Sequence, residues 1–222
     1  MSIDGKRSTQ GDEYQLRVAL HWLIRLLDCD SIDGIQVNST GVTGQNYLVS
    51  VDDVVVLYKD GSACFIQAKK NQTDYKSWTF SDKTLKEELQ KARNQLETRE
   101  NAEVCFYSRS PFGELKALVE NCNNFPDYSA FQRNKNQKQI DALKNFATII
   151  QRSEELPFNL TRRITFGATH EFEDWDRLNL EALDRIVPRA ETVKVILERY
   201  LSKHEASLKS STYIITRQDI LA

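Results

Sequence analysis

The most regular pattern in the chain lies near its start, where Leu16, Leu20, Leu23 and Leu27 recur at steps of four, three and four. That spacing places four leucines on one helix face and predicts a helix over 11–28, with Arg17, His21, Arg25 and Asp28 as a polar stripe beside it. From 34 to 45 the pattern lapses around Gly41 and Gly44, leaving room for a short strand at 35–38. The period then changes. Val54-Val55-Val56-Leu57-Tyr58 and Ala63-Cys64-Phe65-Ile66-Gln67-Ala68-Lys69 flank Lys59-Asp60-Gly61-Ser62, whose Asp-Gly step is a tight-turn signal. These are the arms of a β-hairpin, and the continuous apolar run of the first arm predicts a central strand covered on both faces.

Helical spacing returns at Leu85, Leu89, Ala92 and Leu96, predicting a helix over 81–99 with Ser81 as N-cap and Thr84 with Glu87 as a second capping pair. A strand is expected at 103–108, then helices at 112–122 and at 136–152, the latter carrying Ile140, Leu143, Phe146 and Ile150 in register. A strand follows at 163–170. A helical stretch over 178–207 is interrupted near Pro188, and residues 212–215 are β-like, with 215–220 opening a further element. No internal repeat or low-complexity linker divides the chain.

Composition narrows the classes. At 222 residues and 40% hydrophobic, the chain can bury one core with a helical appendage. No apolar run approaches the roughly 18–20 residues of a membrane span, and residues 1–10 lack a signal-peptide stretch. A cytosolic (cytoplasmic) protein with no membrane partner is expected. Cys29, Cys64, Cys105 and Cys122 form no C-x-x-C pair, and His21, His170 and His204 lie far apart. The cysteines are expected as small buried hydrophobes in a reducing compartment, and zinc is not expected. The net charge of −2 argues weakly against a dedicated nucleic-acid binder, although a local basic cleft would suffice.

The hairpin carries the candidate chemistry. A turn centred on Asp60-Gly61 pairs residues whose numbers add up to about 120 or 121, which sets Asp53 opposite Gln67 or Asp52 opposite Lys69. Gln67 and Lys69 share a strand face and point toward that aspartate. Such a group suits metal-assisted phosphodiester hydrolysis. Asp53 offers a charged oxygen and Gln67 a neutral one to Mg²⁺ (or Mn²⁺), while Lys69 can orient the attacking water or neutralise charge on the phosphate. Glu13 falls three residues before Leu16. It is read either as an inward carboxylate aimed at the sheet, a third ligand for the metal, or as a complement to the positive helix N-terminus.

The order αβββαβ, with an acidic residue opening the second strand and [DEQ]-x-K on the third, resembles the PD-(D/E)XK nuclease superfamily. Gly11-Asp12-Glu13-Tyr14-Gln15, Asp52-Asp53-Val54-Val55-Val56 and Phe65-Ile66-Gln67-Ala68-Lys69 resemble the CD-NTase-associated dsDNA endonuclease domain, related to Mrr-like nucleases. The resemblance covers about half the chain, roughly 11–108, and Val51 stands where a proline would complete the namesake motif. It implies an α/β, restriction-endonuclease-like core with a central mixed sheet and C-terminal helical additions. Residues 1–222 would form a single nuclease domain, the N-terminal part of a larger anti-phage defence protein with a SAVED sensor or STAND-type ATPase following. It further implies a Mg-dependent endonuclease of double-stranded DNA with little sequence preference, active as a homo-oligomer. Asp53 and Gln67 would hold the metal, Lys69 would be catalytic, and Glu13 and Gln15 would support them from the first helix. Asp52 remains open as an alternative to Asp53.

Basic residues follow the motif: Lys69, Lys70, Lys76, Lys83, Lys86, Lys91, Arg93 and Arg99, interleaved with Glu87, Glu88, Glu97 and Glu100. The stretch containing Asn71, Gln72, Tyr75, Lys76 and Trp78 is a candidate phosphate-backbone contact. A second group is Arg133, Lys135, Lys138, Lys144, Arg152, Arg162 and Arg163. Two other readings compete with an enzyme. One is a binding module that kept the nuclease fold but lost cleavage, favoured by Gln67 in place of a carboxylate. The other is an assembly module of a larger machine.

Overall fold

A computed structural model of the chain describes residues 3–39, 41, 49–51, 53–69, 76–205 and 212–221, with side chains from residue 13 onward except at 204 and 205. Five strands form one sheet in chain order: β1 (Ile32–Val37), β2 (Val54–Tyr58), β3 (Ala63–Lys69), β4 (Ala102–Ser108) and β5 (Ile164–Phe166). β1, β2 and β3 run antiparallel; β3, β4 and β5 run parallel. Helix α1 (Ile3–Asp28) precedes the sheet, and α2 (Lys83–Thr98) makes the crossover from β3 to β4. After β4 come α3 (Gly113–Asn123), α4 (Tyr128–Asn134), α5 (Gln137–Ile150) and α6 (Glu155–Thr161). After β5 come α7 (Phe172–Asp184), α8 (Ala190–Glu205) and the short α9 (Arg217–Leu221). The αβββαβ core with a mixed sheet and C-terminal helices is therefore present.

Strand alternation builds two cores. Val54, Val56, Cys64, Ile66, Cys105 and Tyr107 face Tyr14, Leu20 and Leu23 of α1, Trp175 and Leu183 of α7, and Leu197 of α8. Val55, Leu57, Phe65, Val104 and Phe106 face the other way, toward Leu85 and Leu89 of α2, Leu115 of α3, Phe146 of α5 and Phe158 of α6. β2 is covered on both faces, as its apolar run predicts, while the middle position belongs to β3. The hairpin register pairs Val54 with Ile66 and Val55 with Phe65, which continues to Asp53 opposite Gln67. The turn places Gly61 at φ 83°, a left-handed conformation that glycine adopts without strain.

Several boundaries differ from the sequence reading. α1 begins eight residues earlier, at Ile3 rather than Gly11. β1 spans Ile32–Val37 rather than 35–38. The expected strand at 163–170 is only Ile164–Phe166, and the helical stretch after 178 is two helices parted by 185–189, around Pro188. The β-like tail amounts to one bridge, Ile215 with Ile35, and the element opened at 215–220 is α9. Ser81 does not cap α2. Asp82 holds the N-cap position, and its carboxylate is spent on the amide and hydroxyl of Thr79 rather than on the helix. The cysteines follow expectation at Cys64, Cys105 and Cys122, which are buried thiols, while Cys29 is half-buried. Among the described residues, no helix is long and apolar enough to cross a membrane.

Candidate functional site

The site lies where β2 begins and β3 ends. Asp53 is 6% exposed and Gln67 is fully buried. Both belong to the face of the sheet that carries α2, because Val55, Phe65 and Val104 on the same alternation pack there. The Asp53 carboxylate accepts three hydrogen bonds. Oδ1 takes the amide of Gln15 at 2.8 Å. Oδ2 takes the Gln67 side-chain amide and the backbone N–H of Ala68 at 2.7 Å. The Asp53 carbonyl in turn accepts from Asn38 N at 3.0 Å. An aspartate held by three donors can stay ionised at low solvent exposure.

Gln67 is oriented by that bond. Its Nε2 faces Asp53, and its Oε1 is a buried acceptor without a hydrogen-bond partner. A buried carbonyl oxygen left bare is costly unless something electropositive meets it. Two residues on, Lys69 is half-buried and its Nζ lies 3.0 Å from Glu88 Oε1. Glu88 sits on α2 and is 5% exposed; its Oε2 is likewise buried without a partner. The same Oε1 also receives Lys91 Nζ at 3.3 Å.

Asp53, Gln67 and Lys69 are thus placed as the hairpin register predicts. Gln15 reaches Asp53 from α1, on the opposite face of the sheet. Glu13 does not point inward: it is exposed, because the buried stripe of α1 starts at Tyr14 and runs through Val18. Asp52, Lys70, Asn71, Gln72 and Tyr75 lie outside the described residues. Trp78, a candidate DNA contact by sequence, is 6% exposed. It stacks on Phe112 and donates its Nε1–H to Ser108 Oγ at 2.9 Å. It is a packing residue. Much of the basic surface is also tied down. Arg93 donates to Ile150 O, Arg99 to Gly61 O, and Arg162 to Phe125 O; Arg152 pairs with Glu97.

Glu88 escaped the sequence reading, which grouped it with surface glutamates. The available signal was its place one step before Leu89 and three after Leu85, on the buried face of α2. Gln95, one heptad on, is also fully buried and accepts from Ser50 N at 2.8 Å.

The donor set fits a hard divalent cation. Asp53 supplies charged oxygen, and the bare Oε1 of Gln67 supplies the neutral kind of ligand that Mg²⁺ accepts. Among the described residues, no group of three or more His, Cys, Asp or Glu gathers. Among the described residues, a shell built on Asp53 would draw on Gln67, water or substrate oxygens.

Neither a protein-family model nor a curated protein sequence matches this chain. Solved structures do. The Cap4 SAVED/CARF-domain containing receptor of Moraxella osloensis superposes with a TM-score of 0.57 at 17% identity, over 94% of this chain and 45% of that one. The Acinetobacter baumannii Cap4 SAVED/CARF-domain containing receptor, in complex with the cyclic trinucleotide 3'3'3'-cAAA, gives 0.56 at 15% identity, over 94% of this chain and 42% of that one. The chain shares the fold of that portion and spans less than half the length of each receptor.

Proposed function

We propose that this chain is a metal-dependent endonuclease domain of PD-(D/E)XK type that hydrolyses phosphodiester bonds of double-stranded DNA. The observation that carries the reading is the buried pair Asp53–Gln67, whose bare Gln67 Oε1 sits two residues from Lys69 on the same strand face. Asp53 and Gln67 would hold Mg²⁺ or Mn²⁺. Glu13, exposed two residues before Gln15, would support them from the solvent side. When bound, the cation would polarise the scissile phosphate and make a nucleophile of water near neutral pH. Gln15 and the Ala68 amide fix the orientation of the Asp53 carboxylate. Lys69 brings a positive charge to the end of β3, where it can orient the attacking water or offset charge on the phosphate in the transition state. Among the described residues of the site, nothing offers a set of base-edge donors, and little sequence preference is expected.

The wider setting follows from likeness. The matched Cap4 chains contain a SAVED/CARF domain and one binds a cyclic trinucleotide. We read this chain, 1–222, as one nuclease unit of a comparable anti-phage protein, joined to a sensor and active when assembled as a homo-oligomer. A second reading rests on Gln67. With a neutral amide in place of a carboxylate, the same fold could bind DNA without cutting it.

The test is cleavage of supercoiled plasmid with Mg²⁺ or Mn²⁺, using the chain alone and fused to a dimerising module, with single-stranded DNA and RNA in parallel. Metal-dependent nicking of the duplex is expected, strongest in the dimerised form, with RNA resistant. DNA binding without cleavage in either form supports the binding module instead.

A further inference from the structure

Lys69 is met by a carboxylate that lies outside the hairpin motif and comes from a different element. Glu88 lies on α2, 5% exposed, with Oε1 at 3.0 Å from Lys69 Nζ and Oε2 buried and bare.

The position is costly for a carboxylate that does no work. α2 presents Leu85, Leu89, Ala92 and Leu96 to the sheet, and an apolar residue at 88 would extend that face. A buried carboxylate with one oxygen unpartnered is destabilising relative to a satisfied group. Lys69 lines a small cavity with Trp78, Leu85, Glu88 and Phe106, and its ammonium is paired with Glu88. A flexible lysine becomes a charge with one location. Lys91, 41% exposed, shares the same oxygen.

We infer that Glu88 is the positioning residue of this site: it holds the Lys69 ammonium in place at the end of β3. This rests on the nuclease reading for its catalytic consequence but not for the contact itself, and the test separates the two.

Amine acylation of the metal-free folded protein, followed residue by residue in a mass spectrometer, reads Lys69 directly, with the 92% exposed Lys83 side chain as internal reference. Lys69 should react several-fold slower than Lys83 in the native protein and approach it in Glu88→Ala. Glu88→Gln keeps the size of the side chain and should fall between. In the plasmid assay both variants should lose ten-fold or more in kcat, with KM for DNA and the thermal midpoint little changed in Glu88→Gln. Unchanged Lys69 acylation in Glu88→Ala overturns the inference. So does acylation that rises while kcat holds, since Glu88 would then touch Lys69 without serving it. If the native protein cuts nothing even when dimerised, the nuclease reading fails, and the acylation ratio alone decides whether Glu88 holds Lys69.

Discussion

Asp53 is the residue on which most of the site converges, since Gln15, Gln67 and the Ala68 amide all donate to it. Asp53→Ala takes the acceptor from two buried donors, the Gln67 amide and the Ala68 N–H, and from the half-buried Gln15 amide. It should cost on the order of 3 kcal/mol in urea unfolding and remove Mg²⁺ binding in calorimetry; an unchanged affinity would transfer the ligand role to Asp52. Gln67→Glu is the more telling substitution. A carboxylate there loses the bond to Asp53 and faces its charge, so the metal-free protein should melt lower than native. Added Mg²⁺ should raise its midpoint further than it raises the native one, because a ligand that binds only the folded state stabilises in proportion to its affinity. A smaller metal-induced rise than in the native protein would contradict the assignment. At this scale the sequence was legible where a strand and its turn fix direction: alternation placed 67 and 69 together, and the Asp60-Gly61 turn narrowed their partner to Asp52 or Asp53. Helices were less forgiving. One residue of error on α1 rotates a side chain by about 100°. That is why periodicity left Glu13 open as an inward carboxylate, where the structure buries Tyr14 and sends Gln15 to Asp53.

Between elements, α2 is secured at its C-terminal end by Arg163, which follows α6 and leads into β5. Its guanidinium donates to Leu96 O at 2.8 Å, Ala102 O at 2.8 Å and Arg99 O. These join the last turn of α2 to the start of β4, and burial pulls the Arg163 pKa down. Arg163→Ala should destabilise by about 2 kcal/mol, the scale of several charge-assisted bonds partly replaced by water. It should leave Mg²⁺ affinity nearly intact, since the site lies at the other end of β3. A loss below about 0.5 kcal/mol would mean the three carbonyls find other partners. Arg163 was read from the sequence as a possible DNA contact. Composition cannot distinguish a phosphate-seeking arginine from one that satisfies chain ends, because both need only a carbonyl or an oxyanion in reach. The N-terminus of α2 shows the same limit: Ser81 and Asp82 are both good caps, and the choice depends on what else their oxygens meet.

For the whole molecule, α1 is the wall shared by the sheet and the C-terminal helices. His21 on α1 packs at 5.3 Å from the Trp175 ring of α7. Burial, with Arg25 adding to it, pushes its pKa down from 6.5 to about 4. The unfolded chain then binds a proton between those values that the folded chain refuses. Stability should be flat above about pH 6.5, fall as the pH drops to 4, and level off below, by at most about 3 kcal/mol. The lowered carboxylates Asp60 and Asp219 act further down the scale. Urea unfolding against pH checks this, and His21→Leu should flatten the slope; a slope that persists would place its origin elsewhere. The long elements that enclose this core were legible from periodicity. α4 and α6, seven residues each, are too short to show one, and their helicity comes from Phe131 and Phe158 packing against each other.

The central claim is that Asp53, Gln67 and Lys69 cut DNA with a divalent metal. The most direct measurement is plasmid cleavage by the dimerised protein, comparing Mg²⁺, EDTA and Lys69→Ala. Lys69 is a quarter exposed and Lys91 remains beside Glu88, so the variant should fold with a loss of about 1–2 kcal/mol. The account predicts metal-dependent nicking that EDTA stops and that Lys69→Ala lacks. Cleavage that survives in a folded Lys69→Ala protein would contradict it.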